Sequence, residues 1–244
     1  MAKTTPRVFI DTALASGAEI MLPRDQSHYL SNVLRLKPGD TVSLFNGANG
    51  EWLAYVTAIA KKAVSVRIER QSADAKPPPD IDYIFAPLKH SRLDYMVQKA
   101  TELGARRLRP VITARTIAER VNLDRMKANA IEAAEQCNLV FVPEVLEPMA
   151  LTKMLSSWDA ARHLIYCDET AANQNAVSQL KSLKAPAAVL VGPEGGFTPE
   201  ERQHLHALPY VTAISLGPRI LRADTVAIAA LALVQATLGD WPSL

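Results

Sequence analysis

AAVLVGPEGGFTPEE, residues 187–201, and VTAISLGPRILRADT, residues 211–225, share one plan. In each, an apolar run stops abruptly at a glycine loop and a helical signal follows. Glycine and other small residues directly after a buried strand let backbone amides and carbonyls approach a ligand at the carboxyl edge of a sheet, where open α/β folds place their sites. The pair predicts a nucleotide-like ligand. In the first loop Thr198 is a helix cap, Pro199 suits the first helical position and Glu201 completes a capping box. In the second, Pro218 holds off regular structure until the apolar segment that opens at Thr225. No glycine here precedes Lys-Ser or Lys-Thr, and Gly192, Gly195 and Gly196 are not in G-x-G-x-x-G order. Those absences argue against a P-loop ATPase and an ordinary dinucleotide fold.

Working outward, IDYIFAP (81–87) reads as a buried strand. Leu93, Met96, Val97, Ala100 and Leu103 then line one helical face that stops at Gly104. A second helix is expected from Asn122, burying Met126, Ala130, Ala133 and Cys137, and HLIYCDE (163–169) reads as a further strand. Alternating strands and helices predict an α/β fold with a mostly parallel sheet covered by helices. The last segment, TVAIAALALVQATLG (225–239), is apolar on nearly every face and must be buried, either in its own core or against a second subunit. Upstream, QSADAKPPPD (71–80) is a stiff connector that marks a domain break, placed between residues 72 and 73. Before it, TVSLFNG, EWLAYVTAI and AVSVRIE, separated by the turn signals PGD and NGANG, predict a compact all-β module.

With 244 residues and 48% hydrophobic content, the chain has enough core for one large domain or for a small and a medium one. MAKTTPRVFIDT lacks the apolar core of a signal peptide, and the longest apolar run, VAIAALALV (226–234), is too short to cross a bilayer. A cytoplasmic location is expected. Cys137 and Cys167 have no metal-ligand spacing and are expected to be buried free thiols, so no metal site is predicted. The net charge of +2 divides into +3 over residues 1–70, +3 over 71–125 and −4 over 126–244. A basic front half suits phosphate, but it fits ordinary surface charge equally well. Aromatic residues make up only 6% of the chain, and no stacking platform of the RNA-recognition type is legible.

The two loops, GPEGGF and LGPRILRADT, resemble those of the bacterial 16S ribosomal RNA (uracil-N3) methyltransferases of the SPOUT superfamily. The likeness extends through RVF (7–9), HYLSNVLRLKPGD (28–40), KATELGARRLRPVITAR (99–115) and EAAEQCNLVFVPEV (132–145), essentially the whole chain. It implies a trefoil-knotted α/β methyltransferase domain over 73–244 and a PUA-like RNA-binding β-barrel over 1–72. It also implies a homodimer. The implied activity is S-adenosylmethionine-dependent methylation of N3 of uridine 1498 in 16S ribosomal RNA of the small ribosomal subunit, without a metal.

On that resemblance the donor pocket is assigned to Leu190, Gly192, Glu194, Gly195, Gly196, Leu216, Gly217, Ile220, Leu221 and Thr225. Arg222 is expected to stabilise charge on a uridine oxygen, and Asp224 to orient that arginine or accept the N3 proton, with Glu194 as second candidate base. Arg7, His28 and Arg35, together with Lys89, Arg115 and Gln136, match the family's RNA-contacting positions. Leu139 stands where relatives carry arginine, and Asp224 and Val226 where they carry Glu and Ala. Two other readings stay open: a related SPOUT enzyme acting on another base or on a ribose 2′-hydroxyl, and a non-enzymatic RNA-binding ribosome-assembly factor. The intact donor loops argue against the second.

Overall fold

The computed structural model describes residues 5–60, 63–117, 120–171 and 175–241. They form two compact units, one of residues 1–77 with 134–142, the other of 78–133 with 143–244.

The first unit holds a five-stranded mixed sheet in the order β1 (Arg7–Phe9), β3 (Thr41–Phe45), β4 (Glu51–Ala60), β5 (Ala63–Ala73), β2 (Glu19–Met21). Its β3–β4 and β4–β5 pairs are the three segments expected to be strands. Alternate residues Ala54 and Val56 of β4 and Val64, Val66 and Ile68 of β5 enter one apolar core with Val42 and Leu44. Between β2 and β3 the chain makes a short helix, α1 (Arg24–His28), that runs on as a π-helical turn over Tyr29–Val33. Arg35 follows with φ of 55°. The segment 134–142 also belongs to this unit, and Arg7 reaches into it. Arg7 Nη1 donates to the carbonyls of Ala134 (2.8 Å) and Glu135 (2.9 Å), and Nη2 to that of Leu139 (2.9 Å).

The second unit is a parallel sheet in the order β12 (Val211–Ile214), β10 (His163–Cys167), β11 (Ala187–Val191), β6 (Ile81–Phe85), β7 (Arg107–Ile112), β8 (Glu144–Val145). A short β9 (Met149–Ala150) also pairs with β7. Every residue of β6 and β11 is buried, as the continuous apolar run of β11 predicts for a strand covered on both faces; β6 buries one charge, Asp82, among its apolar residues. The helices are α2 (His90–Glu102), α3 (Leu123–Gln136), α4 (Leu151–Ser156), α5 (Ala176–Lys181), α6 (Pro199–Ala207) and α7 (Ala223–Thr237). α2 buries Leu93, Met96, Val97 and Ala100 and ends before Gly104, whose φ of 72° closes it. α7 packs on α2, and Gln235 donates to the carbonyls of Leu103 (2.7 Å) and Gly104 (3.3 Å), satisfying the open end of that helix.

Two sequence expectations change. Cys137 lies just past the end of α3 and is exposed, because the helix closes at Gln136, one residue before it. Cys167 is half-buried, and both thiols are free. α7 starts at Ala223, two residues before the apolar run, because Arg222 already has the extended backbone of an N-cap.

At the amino ends of the strands the fully buried Asp82 carboxylate accepts from Arg107 Nε (2.6 Å) and Arg109 Nη1 (3.0 Å). Beside it, Asp80 accepts from Arg107 Nη2 (2.5 Å) and Arg162 Nη2 (2.8 Å). Burial works to raise the Asp80 carboxyl pKa, but the Arg162 hydrogen bond and the charges of Arg162, Arg107 and Arg106 hold it below its ordinary range. This network pins the strand that emerges from the proline connector to β7 and to the start of β10. Replacing Asp82 with Ala removes the acceptor of Arg109 and one acceptor of Arg107, both partly solvated, and should cost about 1–3 kcal/mol, measured by urea unfolding.

Candidate functional site

β10 lies between β11 and β12, so the chain crosses over it on the way from β11 to β12. The loops after all three strands therefore converge above one carboxyl edge. They enclose a cavity of about 510 Å³, a size that suits a nucleoside-like ligand. Its walls are Cys167–Glu169 after β10, Val191–Phe197 after β11, and Leu216, Gly217 and Arg219–Ala223 after β12.

Local chemistry shapes each wall. A Cβ on Gly192 would stand 2.5 Å from the buried Phe197 ring, so glycine lets the first loop fold back over its own aromatic residue. Gly217 has φ of 105°, which turns the second loop away from β12. The capping box forms as expected: Thr198 Oγ1 accepts from the Glu201 amide, and Glu201 Oε2 from the Thr198 amide (2.8 Å). Glu201 Oε1 also accepts from the Ala114 amide (2.9 Å), and Arg115 Nη1 donates to the Gly195 carbonyl (2.9 Å). The first loop is thereby fastened to the chain that leaves β7. On its other side Arg202 donates to Thr170 Oγ1 (3.0 Å) and to Glu169, and His206 pairs with Asp168 (2.9 Å).

Asp168 is buried, which works to raise its pKa, yet hydrogen bonds from Thr170 and His206 and the charge of Arg202 keep it below the usual carboxylate range. The Cys167 thiol, on the cavity wall, is pushed up to about 12 by burial and is not a ready nucleophile.

Of the expected donor residues, Gly192, Glu194, Gly195, Gly196, Leu216, Gly217, Ile220 and Leu221 all line the cavity. Leu190 does not. It is fully buried in β11 and supports the wall from behind. Thr225 is exposed in the first turn of α7 and is not part of the lining. Arg222 lines the cavity, is exposed, and makes no side-chain hydrogen bond to any described residue.

Asp224 makes no hydrogen bond to Arg222, although the Arg222 charge helps to lower its pKa. It receives Arg92 in a two-pronged pair, Nε to Oδ2 at 3.0 Å and Nη2 to Oδ1 at 3.1 Å, and Arg92 Nη1 also meets Glu194. The Arg92 hydrogen bond, followed by its charge, holds the Asp224 carboxyl below its ordinary range despite partial burial, which makes it a weak proton acceptor. Arg92 was not singled out in the sequence. The available signal was an arginine in the first turn of a helix that directly follows a buried strand.

The expected RNA contacts separate by exposure. His28, Arg35, Lys89, Arg115 and Gln136 are exposed. Arg7 is not available. Its side chain is 10% exposed, lies 4.6 Å above the Phe45 ring, and spends its donors on Glu51 and on three carbonyls of 134–139. It is a structural tie, and the Leu139 position contributes to that tie through its backbone carbonyl.

A family profile described as an RNA methyltransferase domain matches residues 75–235, and one described as an RNA methyltransferase PUA domain matches residues 22–69. The chain is thus an RNA methyltransferase, built from the two modules that these profiles describe. It is 34% identical to the ribosomal RNA small subunit methyltransferase E of Rickettsia conorii, with 94% of each chain covered. It is 31% identical to the Synechocystis protein of the same name, over 91% of this chain and 74% of that one. A crystal structure of the Neisseria gonorrhoeae enzyme of that name, bound to S-adenosylmethionine, superposes with a TM-score of 0.89 at 28% identity, covering 98% and 100% of the two chains. A Legionella pneumophila putative methyltransferase with the same bound cofactor gives 0.84 at 29%, with the same coverage. The chain belongs to the ribosomal RNA small subunit methyltransferase E family.

Two outcomes follow from this geometry. Gly192→Ala forces a Cβ into the Phe197 ring and should lower the free energy of unfolding by about 1–3 kcal/mol in urea titrations. Asp224, with its lowered pKa, stabilises the fold fully above about pH 4, the ordinary carboxylate value, and loses that contribution as pH falls through the lowered value. Asp224→Asn should therefore flatten the dependence of stability on pH in the acid range below it.

Proposed function

We propose that the chain methylates N3 of uridine 1498 in 16S ribosomal RNA, within the small ribosomal subunit, with S-adenosylmethionine in the cavity above β10, β11 and β12. The observation that carries this reading is the cavity itself: eight of the ten residues expected to hold the donor line it, and its glycines leave backbone groups open to a ligand. S-adenosylmethionine, when bound, supplies a methyl group already activated by its sulfonium.

The chain's own work is then to orient the acceptor, exclude water and accommodate the N3 proton and the charge it leaves on the ring. Orientation is the largest contribution available, worth up to about 7–11 kcal/mol for well-aligned partners. Arg222, on the cavity wall and without a protein hydrogen-bond partner among the described residues, supplies a cation to a uracil oxygen as negative charge develops. Asp224 anchors Arg92 rather than receiving the proton, because both of its oxygens are engaged. Glu194 meets Arg92 through Oε1 alone, so its Oε2, on the more exposed of the two carboxylates and at the cavity wall, is the candidate acceptor.

On this reading residues 1–72 form the RNA-binding module, presenting His28 and Arg35, and 73–244 the catalytic one, presenting Lys89 and Arg115, while Gln136 stands in the segment 134–142 that belongs with the first unit. A homodimer belongs to the same proposal, supported by the apolar residues Ile228 and Leu233 of α7, which stay half-exposed in a single chain. So does the trefoil knot, with which the crossing of the chain over β10 is in keeping. A cytoplasmic location follows from a ribosomal substrate, and no described helix is long and apolar enough to cross a membrane.

The test is transfer from radiolabelled S-adenosylmethionine to small ribosomal subunits that lack the modification, followed by mapping of the labelled nucleotide. Label at N3 of uridine 1498 is expected, and Arg222→Ala should reduce it about 100-fold or more, the scale of a lost charge-stabilising donor. Label on another base or on a ribose hydroxyl would keep the enzyme class and overturn the substrate.

A further inference from the structure

Arg92 stands in the first turn of α2, where the helix dipole disfavours a cation. Its side chain is only 23% exposed and spans three separate pieces of chain. Nε and Nη2 grip Asp224 in the first turn of α7, and Nη1 reaches Glu194 in the glycine loop after β11. A carboxylate held by two parallel N–H groups fixes orientation as well as distance, and the third nitrogen remains for the second carboxylate. A lysine, as a single point charge, has no equivalent geometry. Arg92 therefore holds a loop that forms one wall of the donor cavity.

We propose that Arg92 is a positioning residue of the methyl-transfer site: it ties both donor loops to α2 through Asp224 and Glu194, and so sets the shape of the donor cavity that those loops enclose. This rests on the function proposed above. Arg92 acts through its two carboxylates and not by touching RNA, since each of its three guanidinium nitrogens already has a protein partner.

The experiment compares wild type, Arg92→Lys, Arg92→Ala, Asp224→Ala and the Arg92→Ala/Asp224→Ala double variant. Donor affinity is measured by calorimetry with S-adenosylmethionine, kcat and the KM for small subunits by methyl transfer, and folding by thermal melting. Arg92→Lys is expected to melt close to wild type yet bind donor about tenfold more weakly and turn over correspondingly more slowly, with the KM for subunits unchanged. The double variant should be no worse than the poorer single one, as for two residues acting through one contact. The proposal is overturned by an Arg92→Lys enzyme with wild-type donor affinity and kcat, by additive losses, or by a raised KM for subunits, which would make Arg92 an RNA contact. Should Arg92→Ala fail to fold, Arg92→Lys and Asp224→Asn decide the matter through the same donor titration. A wild-type protein that does not bind S-adenosylmethionine would instead sink the proposed function and leave the Arg92 geometry unexplained.

Discussion

The constraint on which the catalytic unit depends is the placing of β10 between β11 and β12. Parallel strands lie about 4.8 Å apart, so three loops leaving neighbouring carboxyl ends must share one small space. Side chains of ordinary size cannot fill it and also leave room for a ligand. That explains why Gly192 must lack a Cβ beside Phe197 and why Gly217 takes a left-handed turn. The cavity is what remains where glycines keep side chains out of part of the crossing.

Arginine holds these loops where they are. Arg115 fastens the first loop to the chain after β7, Arg202 fastens it to the loop after β10, and Arg92 joins it to the start of α7. Arg107, Arg109 and Arg162 do the same at the opposite edge, around Asp80 and Asp82. Much of the basic surplus in the first 125 residues is therefore engaged in internal pairs and carries no direct information about RNA. Arg7 is the plainest case, since a cation that matches an RNA-contacting position is consumed by Glu51 and three carbonyls.

Legibility in the sequence followed the range of the interaction. The Thr198–Glu201 capping box, the stop at Gly104, the continuous apolar run of β11 and the mostly apolar run of β6 were readable because each depends on a few neighbouring residues or on a simple period. Most of the cavity's lining was readable for the same reason, as it comes from two contiguous loops. The contribution of Cys167–Glu169 was not, because it follows from the position of β10 in the sheet rather than from any local signal. The exposure of Cys137 turned on one residue at a helix end, where periodicity has little resolving power.

By itself, then, the sequence determined the α/β alternation, the two glycine loops and the kind of ligand they admit, because strand burial, capping and backbone freedom are local properties. Tertiary structure alone decided that Asp224 is hydrogen-bonded by Arg92 and not by Arg222, and that Arg7 ties β1 to the carbonyls of residues 134–139. Both outcomes pair residues more than 100 positions apart in the chain, and the partner of a charge is chosen by which elements the sheet brings side by side.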